Sequence, residues 1–219
     1  MSLNTDLSGI TNRINLFGKI ETPPTFSHDV FGEGFYGFDL SVPRLSDASD
    51  LLPITISGRI MEGSRFAVGQ HLGITGQIRS YNNYIAEEGR NRLVLTVFAK
   101  DYKFCDDFGT ANPNDVLLDG FICKPPVYRT TPFGREITDL LLAVNRSYNK
   151  SDYIPCITWG RNARYASKLL VGDNVKLWGR MQSRIYQKKM EDDAVMEKTA
   201  FEVSVSRMEV VDKGASDEN

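Results

Sequence analysis

The sequence predicts an all-β protein built from two tandem copies of one small barrel, and three observations lead to this prediction. The chain contains an internal repeat, apolar residues in each copy are mostly spaced by two, and a short helical stretch falls between the third and fourth strands. Length and composition agree with it. The 219 residues include 41% hydrophobic and 25% charged residues, which is enough apolar mass for a core and typical of a globular protein.

The repeat appears when the sequence is shifted by 102 positions. Residues 15–59 then lie over 117–161 without a gap, and 15 of the 45 pairs are identical, where ordinary composition gives roughly one in fifteen by chance. With one extra residue in the second copy, the alignment continues until Ser80 lies over Ser183. The breaker-rich stretch 109–114 separates the copies. We therefore expect an N-terminal domain over 1–110, a C-terminal domain over 113–212 and a short acidic tail over 213–219.

Alternating apolar residues, as in Phe38, Leu40 and Val42, predict about five strands in each copy. The expected strands are 13–20, 35–43, 53–59, 71–79 and 92–104, then 116–123, 136–145, 153–159, 173–183 and 198–210. The helical stretch is clearest at 162–170, and Gly172 follows it as a stop. Five strands with a helix after the third is the element order of the OB-fold, a small, partly open Greek-key barrel.

Several other classes of protein are excluded by what the sequence lacks. No apolar run approaches the about 18 residues of a membrane span, and the first 16 residues lack the apolar stretch of a secretory signal, so we expect a cytoplasmic protein. The three cysteines have no C-x-x-C spacing, and neither His28 nor His71 has a partner residue at the spacing of metal ligands. The sequence therefore predicts no metal site and no catalytic pair. We expect no cofactor and no enzymatic activity.

Two tempting motifs have plainer interpretations. Gly32-Glu-Gly34-Phe-Tyr-Gly37 matches the dinucleotide-binding fingerprint, but that site needs a helix after the glycines, and a predicted strand follows here. We interpret these glycines as parts of a tight hairpin and a twisted strand entry. The acidic run 191–193 has no further carboxylate or histidine spaced to join it, so we interpret it as a solvated loop.

The near-neutral total charge of −2 conceals a basic second copy. Residues 116–190 contain 13 basic and 5 acidic side chains, whereas 191–219 contain 3 basic and 9 acidic ones. A basic barrel indicates a polyanionic partner, and aromatic residues among the charges favour a single strand, whose bases are free to stack. If the even-numbered residues of strand 153–159 face the core, the odd-numbered ones face outward: Tyr153, Pro155, Ile157 and Trp159.

The second copy also contains an ordered set of short motifs. They are Asn114-Asp-Val-Leu-Leu-Asp-Gly120, Ala143-Val-Asn-Arg146, Thr158-Trp-Gly-Arg-Asn-Ala163 and Val171-Gly-Asp-Asn-Val-Lys-Leu-Trp-Gly-Arg180, closing with Ser183-Arg-Ile-Tyr186. Together they resemble the bacterial single-stranded DNA-binding protein family from residue 114 to about 211. The resemblance implies sequence-tolerant binding of single-stranded DNA in replication, recombination or repair, by base stacking and phosphate neutralisation.

The resemblance also implies which residues bind the strand. Four aromatic positions would stack on bases: Tyr148, Tyr153, Trp159 and Tyr186. Basic neighbours would bind phosphates: Arg129, Arg146, Arg161, Arg180, Arg184, Lys188 and Lys189. The alternative for the aromatic residues is a place in the barrel core or in a contact between subunits.

The first copy differs at the four aromatic positions, where it has Ser46, Leu51, Ser57 and Asn83. Its open face has therefore lost the stacking platform of the family, and we expect the first barrel to be mainly architectural. Phe35, Tyr36 and Arg79 leave room for a weaker contribution, and Tyr81 and Tyr84 lie near the last of the four positions.

Partners are expected by analogy with the family. Most members assemble four barrels, so two barrels in each chain would give a homodimer, in the bacterial cytoplasm with the nucleoid. Typical members end in an acidic tail with an apolar tip that recruits replication and repair enzymes. Replication and repair proteins are candidate partners here too, but residues 214–219 are acidic without the closing Pro-Phe, so the sequence does not support recruitment by that route. A protein-binding module of a replication or mobile-element complex, and an RNA-binding protein, are the alternatives.

Overall fold

The computed structural model describes residues 9–44, 46, 48–85, 89–106, 112–189 and 195–211. The first copy forms β1 (Asn12–Ile20), β2 (Thr25–Val30), β3 (Glu33–Pro43), β4 (Ser49–Ser57), α1 (Gly58–Met61), β5 (His71–Ile85) and β6 (Arg90–Phe104). The second forms β7 (Asn114–Ile122), β8 (Val127–Thr130), β9 (Glu136–Arg146), β10 (Lys150–Trp159), α2 (Arg161–Ala166), β11 (Asn174–Lys189) and β12 (Val195–Val210). Within this part of the chain, no helix has the length and apolar character needed to span a membrane.

Each copy closes into a five-stranded barrel. In the first copy the pairings run β1–β3, β3–β4, β4–β6, β6–β5 and β5–β1, and the second repeats this circuit as β7–β9, β9–β10, β10–β12, β12–β11 and β11–β7. Alternate residues of these strands point inward and are fully buried, as are Leu40 and Leu52 in the first barrel and Leu142 and Val203 in the second. The short helices follow β4 and β10. The predicted tandem OB-fold is therefore confirmed.

The strands β2 and β8 were missed by the sequence pattern. Every residue of both strands is exposed, so neither carries the alternation of apolar and polar residues that marks a half-buried strand. β2 forms an antiparallel hairpin with β3 of the first barrel, and β8 forms one with β9 of the second. The turn between β2 and β3 places Phe31 at φ 53° and Gly32 at φ 83°, a left-handed conformation typical of two-residue hairpin turns. This confirms the hairpin interpretation of the glycine motif.

The two barrels share one continuous sheet because β1 and β7 pair antiparallel. Ile14 of β1 lies opposite Val116 of β7, and these two residues are equivalent under the shift of 102 positions. A pseudo-two-fold axis therefore passes between them. Both side chains are fully buried. The pairing also covers two strand edges that would otherwise present unpaired backbone groups.

Two buried carboxylates reinforce this junction. Asp50 is fully buried and binds Arg44 of its own barrel, with Nη2 to Oδ1 at 2.5 Å. From the other barrel it accepts the backbone N–H of Ser183 at 2.8 Å and Arg180 Nη1 at 3.0 Å.

The second copy has the same arrangement with the roles of the two barrels exchanged. Asp152 is also fully buried and binds Arg146 of its own barrel at 3.2 Å. It accepts the backbone N–H of Ser80 at 2.8 Å and Arg79 Nη1 at 2.9 Å from the first barrel. Each barrel therefore provides a buried acid that is neutralised partly by its own arginine and partly by an arginine of the other barrel, and the two barrels depend on one another for burial of charge.

Three predicted segments are only partly covered or not covered by the structure. The breaker-rich stretch 109–114 is described only from residue 112, although β6 ends at Phe104 and β7 begins at Asn114. The acidic run 191–193 and the tail 213–219 lie outside the described residues. The proposed domain limits and the solvated acidic loop therefore stay predictions.

Replacing Asp152 by asparagine is expected to destabilise the protein by about 3 kcal/mol, the lower end of the cost for breaking a buried ion pair, because the arginines keep partial contact with water. Arg79 and Arg146 would then lie close together without a counter-charge. Asp115→Asn is the matched control, since Asp115 pairs with Arg13 at 3.4 Å and is 40% exposed, and such a pair contributes at most about 1 kcal/mol. Urea unfolding measures both changes, and equal losses would contradict the role of Asp152.

Candidate nucleic-acid interface

The outward face of the second barrel carries two of the predicted stacking residues on β10. Tyr153 is 44% exposed and Trp159 is 37% exposed, as the alternation of the strand predicts. Ile157 is the exception, because its side chain is only 4% exposed although it lies outside the core cluster. Ile157 is the register partner of Ser204 on β12, the serine whose Oγ accepts the hydrogen bond from the indole of Trp159.

Trp159 is anchored to the sheet at one edge of its ring. Its indole Nε1 donates to the Oγ of Ser204 on β12 at 3.2 Å, and its register partner on β9 is the buried Ile137. This hydrogen bond restricts the orientation of the ring. Because Trp159 is 37% exposed, part of the ring remains accessible to a planar ligand.

The other two predicted stacking residues lie at the margins of this face. Tyr148 is 94% exposed at the tip of the turn between β9 and β10, where it and Asn149 have φ angles of 63° and 52°. Positive φ at two successive non-glycine residues is uncommon and marks a strained turn. Tyr186 on β11 is half-buried, and the guanidinium of Arg184 lies 5.8 Å from its ring centroid. None of the four aromatic side chains belongs to the barrel core as the structure describes it.

The predicted cations fall into three groups, of which the first lies on the outward face. Arg129 of β8 donates from Nε to Asp139 at 2.7 Å, and this hydrogen bond raises the pKa of the Arg129 guanidinium above its ordinary value. Arg184 lies 3.5 Å from Glu202, a nearly buried carboxylate on the same face. Arg161 is exposed at the first residue of α2 and has no ion pair among the residues that the structure describes.

The second group has a structural role that the sequence did not predict. Arg146 and Arg180 bind the buried carboxylates Asp152 and Asp50 at the junction of the barrels. The third group, Lys188 and Lys189, lies in β11, but the side chains of both residues fall outside the described part of the chain. The outward face therefore combines exposed rings with Arg129, Arg161 and Arg184.

The first barrel carries an aromatic cluster on its own outward face, at positions that the repeat did not reveal. The rings of His28 and Phe35 stack with centroids 5.1 Å apart, and Phe35 lies 5.8 Å from Phe98. The guanidinium of Arg79 lies 5.9 Å from the centroid of Phe98. Phe35 and Arg79, which left room for a weaker contribution, both belong to this cluster, while none of the four family positions is aromatic here. The expectation that the first barrel is mainly architectural stays a prediction.

The aromatic residue at the centre of the outward face lies on different strands in the two barrels. Ser57 of β4 is equivalent to Trp159, and Phe98 of β6 is equivalent to Ser204, the partner of that tryptophan. Phe35 of β3 is the register partner of Ser57, and its ring centroid lies 5.8 Å from that of Phe98. The sequence contained the signal, because Phe98 alternates with the inward-facing Val97 and Ala99 and must point outward.

Comparisons with known proteins agree with this geometry. The model of the single-strand binding protein family matches residues 113–211. Single-stranded DNA-binding protein 1 of Staphylococcus aureus is 38% identical over 84 residues, which cover 34% of this chain and 48% of that protein. Single-stranded DNA-binding protein B of Bacillus subtilis is 34% identical over 84 residues, which cover 34% of this chain and 72% of that protein. The chain spans about half the length of the Staphylococcus relative.

The tandem arrangement has a counterpart among solved structures. Wild-type single-stranded DNA binding protein from Thermus aquaticus superposes with a TM-score of 0.75 at 21% identity, over 95% of this chain and 96% of that one. That similarity shows the shared fold of both barrels. The family model matches the second barrel. Because the Bacillus subtilis relative is 34% identical and 72% of its length is covered, the chain belongs to the single-strand binding protein family.

Proposed function

We propose that this chain binds single-stranded DNA with little sequence preference, by stacking bases on aromatic rings and neutralising phosphates with cations. The observation that carries the proposal is the exposed row formed by Tyr148, Tyr153 and Trp159 along the β9–β10 hairpin, with Arg129 and Arg161 beside it. Stacking accepts every base because each has a flat face, and it contributes about 1–3 kcal/mol per base. Duplex DNA hides those faces.

The proposal extends to the biological setting. The names of the relatives support binding of single-stranded DNA. We infer a role in replication, recombination or repair, as a binding protein and not an enzyme, in the bacterial cytoplasm with the nucleoid. The domains are residues 1–110 and 113–212, with a tail over 213–219. Two such chains would form a homodimer with four barrels. Tyr186, Arg184, Lys188 and Lys189 would extend the path of the strand along β11, while Arg146 and Arg180 would add positive charge at the junction.

Titration of the intrinsic tryptophan emission tests the proposed function directly. Oligo(dT) is expected to quench Trp159 and to bind more tightly than oligo(U), with an affinity that falls with salt by a log–log slope of about 0.7 per phosphate contacted. Absence of quenching would favour a protein-binding module. Tighter binding of oligo(U) would favour RNA, whose 2′-hydroxyl is the distinguishing group.

Trp159→Ala is expected to weaken binding of a fluorescently labelled oligo(dT) by about 5- to 150-fold, the range that corresponds to loss of one stacked base. Ser57→Ala, at the equivalent position of the first barrel, is the control and should change the affinity little. Fluorescence anisotropy measures both variants, after circular dichroism has shown that each is folded. Equal effects would contradict the assignment of the main binding face to the second barrel.

The displaced cluster gives the first barrel a weaker binding face of its own. Phe98→Ser, which installs the residue of the second barrel, is expected to leave binding of the shortest oligo(dT) unchanged and to weaken binding of longer ones several-fold, since only longer strands reach the first barrel. Anisotropy with an oligo(dT) length series measures this. Identical affinities of the variant and the unaltered protein at every length would show that Phe98 makes no contact with DNA.

A further inference from the structure

A cleft of about 530 Å³ lies at the junction of the two barrels. Gln77, Arg79 and Lys100 of the first barrel line one side, and Arg146, Tyr148 and Lys150 of the second line the other. Among the described lining residues there is no acidic side chain, because Asp152 is fully buried behind the two arginines. Two arginines share that one carboxylate, and the two lysines add further positive charge, so the surface of the cleft is cationic.

The cleft lies between the two aromatic surfaces. At one side Tyr148 is the first of the exposed rings that continue through Tyr153 to Trp159. At the other side Arg79 both lines the cleft and lies against Phe98, the inner ring of the first barrel's cluster. A strand that stacks on both surfaces must carry its backbone through the region between them.

The pseudo-two-fold axis provides an internal comparison, because it generates a second junction around Asp50. There the residues equivalent to Tyr148, Lys150 and Lys100 are Ser46, Ala48 and Ser206. Lys100 and Ser206 are true counterparts, since each is the extra residue of the β-bulge opposite Gly76 or Gly179. A bulge re-aims the side chain it carries. One junction thus has a ring and two cations that the other lacks.

We propose that this cleft binds the phosphodiester backbone of single-stranded DNA where the strand passes from the second barrel to the first. Lys100 and Lys150 contact phosphates from opposite walls, and Tyr148 stacks on a base at the entrance. Arg79 and Arg146 contribute positive charge while they remain bound to Asp152. The junction around Asp50 has small neutral side chains at these positions and does not guide a strand.

The inference rests on the proposed function, and the following experiment distinguishes failure of the inference from failure of that function. Lys100→Ser and Lys150→Ala install the residues of the other junction. Lys103→Ser is the matched control, because Lys103 is an exposed lysine on the same strand, β6, but does not line the cleft. The affinity of each variant for an oligo(dT) length series is measured at several salt concentrations.

With long oligo(dT), Lys100→Ser and Lys150→Ala are each expected to reduce the log–log salt slope by about 0.7, the value for one lost phosphate contact on a single strand, while Lys103→Ser leaves it unchanged. With the shortest oligo(dT) that quenches Trp159, Lys100→Ser should match the unaltered protein. An unchanged slope for Lys100→Ser at every length would overturn the inference and leave the proposed function intact. Failure of oligo(dT) to bind the unaltered protein would overturn both.

Discussion

Burial of Asp50 and Asp152 at the junction is the interaction on which the arrangement of the two barrels depends. A carboxylate removed from water is costly unless it is paired and hydrogen-bonded, and each of these acids obtains part of its neutralisation from the opposite barrel. Together with the pairing of β1 and β7, this fixes the relative position of the two outward faces. The cleft and the aromatic surfaces on either side of it keep a defined geometry as a result.

The sequence predicted most of the architecture because the OB-fold depends on patterns that a single chain displays. Apolar residues spaced by two mark strands with one buried face. Because the sequence is repeated, each strand and helix is predicted twice, once from each copy. The strands β2 and β8 escaped detection for the same reason, since both of their faces are exposed. The predicted helix at 162–170 is shorter in the structure, where α2 ends at Ala166.

The sequence predicted those features of the candidate site that depend on alternation along a single strand. It did not predict those that depend on contacts between residues far apart in the chain. The outward positions of Tyr153 and Trp159 follow from alternation along β10. The ion pair between Arg180 and Asp50 joins residues 130 positions apart in different barrels, and no local pattern encodes it. The cluster around Phe98 lies beyond the last identical pair of the repeat, Ser80 and Ser183, in a strand where the two copies share no marked identity that would align Phe98 with Ser204.

The covalent link between the barrels has a consequence for how their surfaces can evolve. Where identical subunits associate through a two-fold axis, every substitution appears on both sides. Here Gln77 and Arg79 correspond to Arg180 and Gln182, so the arginine and glutamine have exchanged places between the copies. Such an exchange requires two separately encoded halves. The junction therefore has two chemically different sides, and because the barrels are covalently linked it forms at any protein concentration.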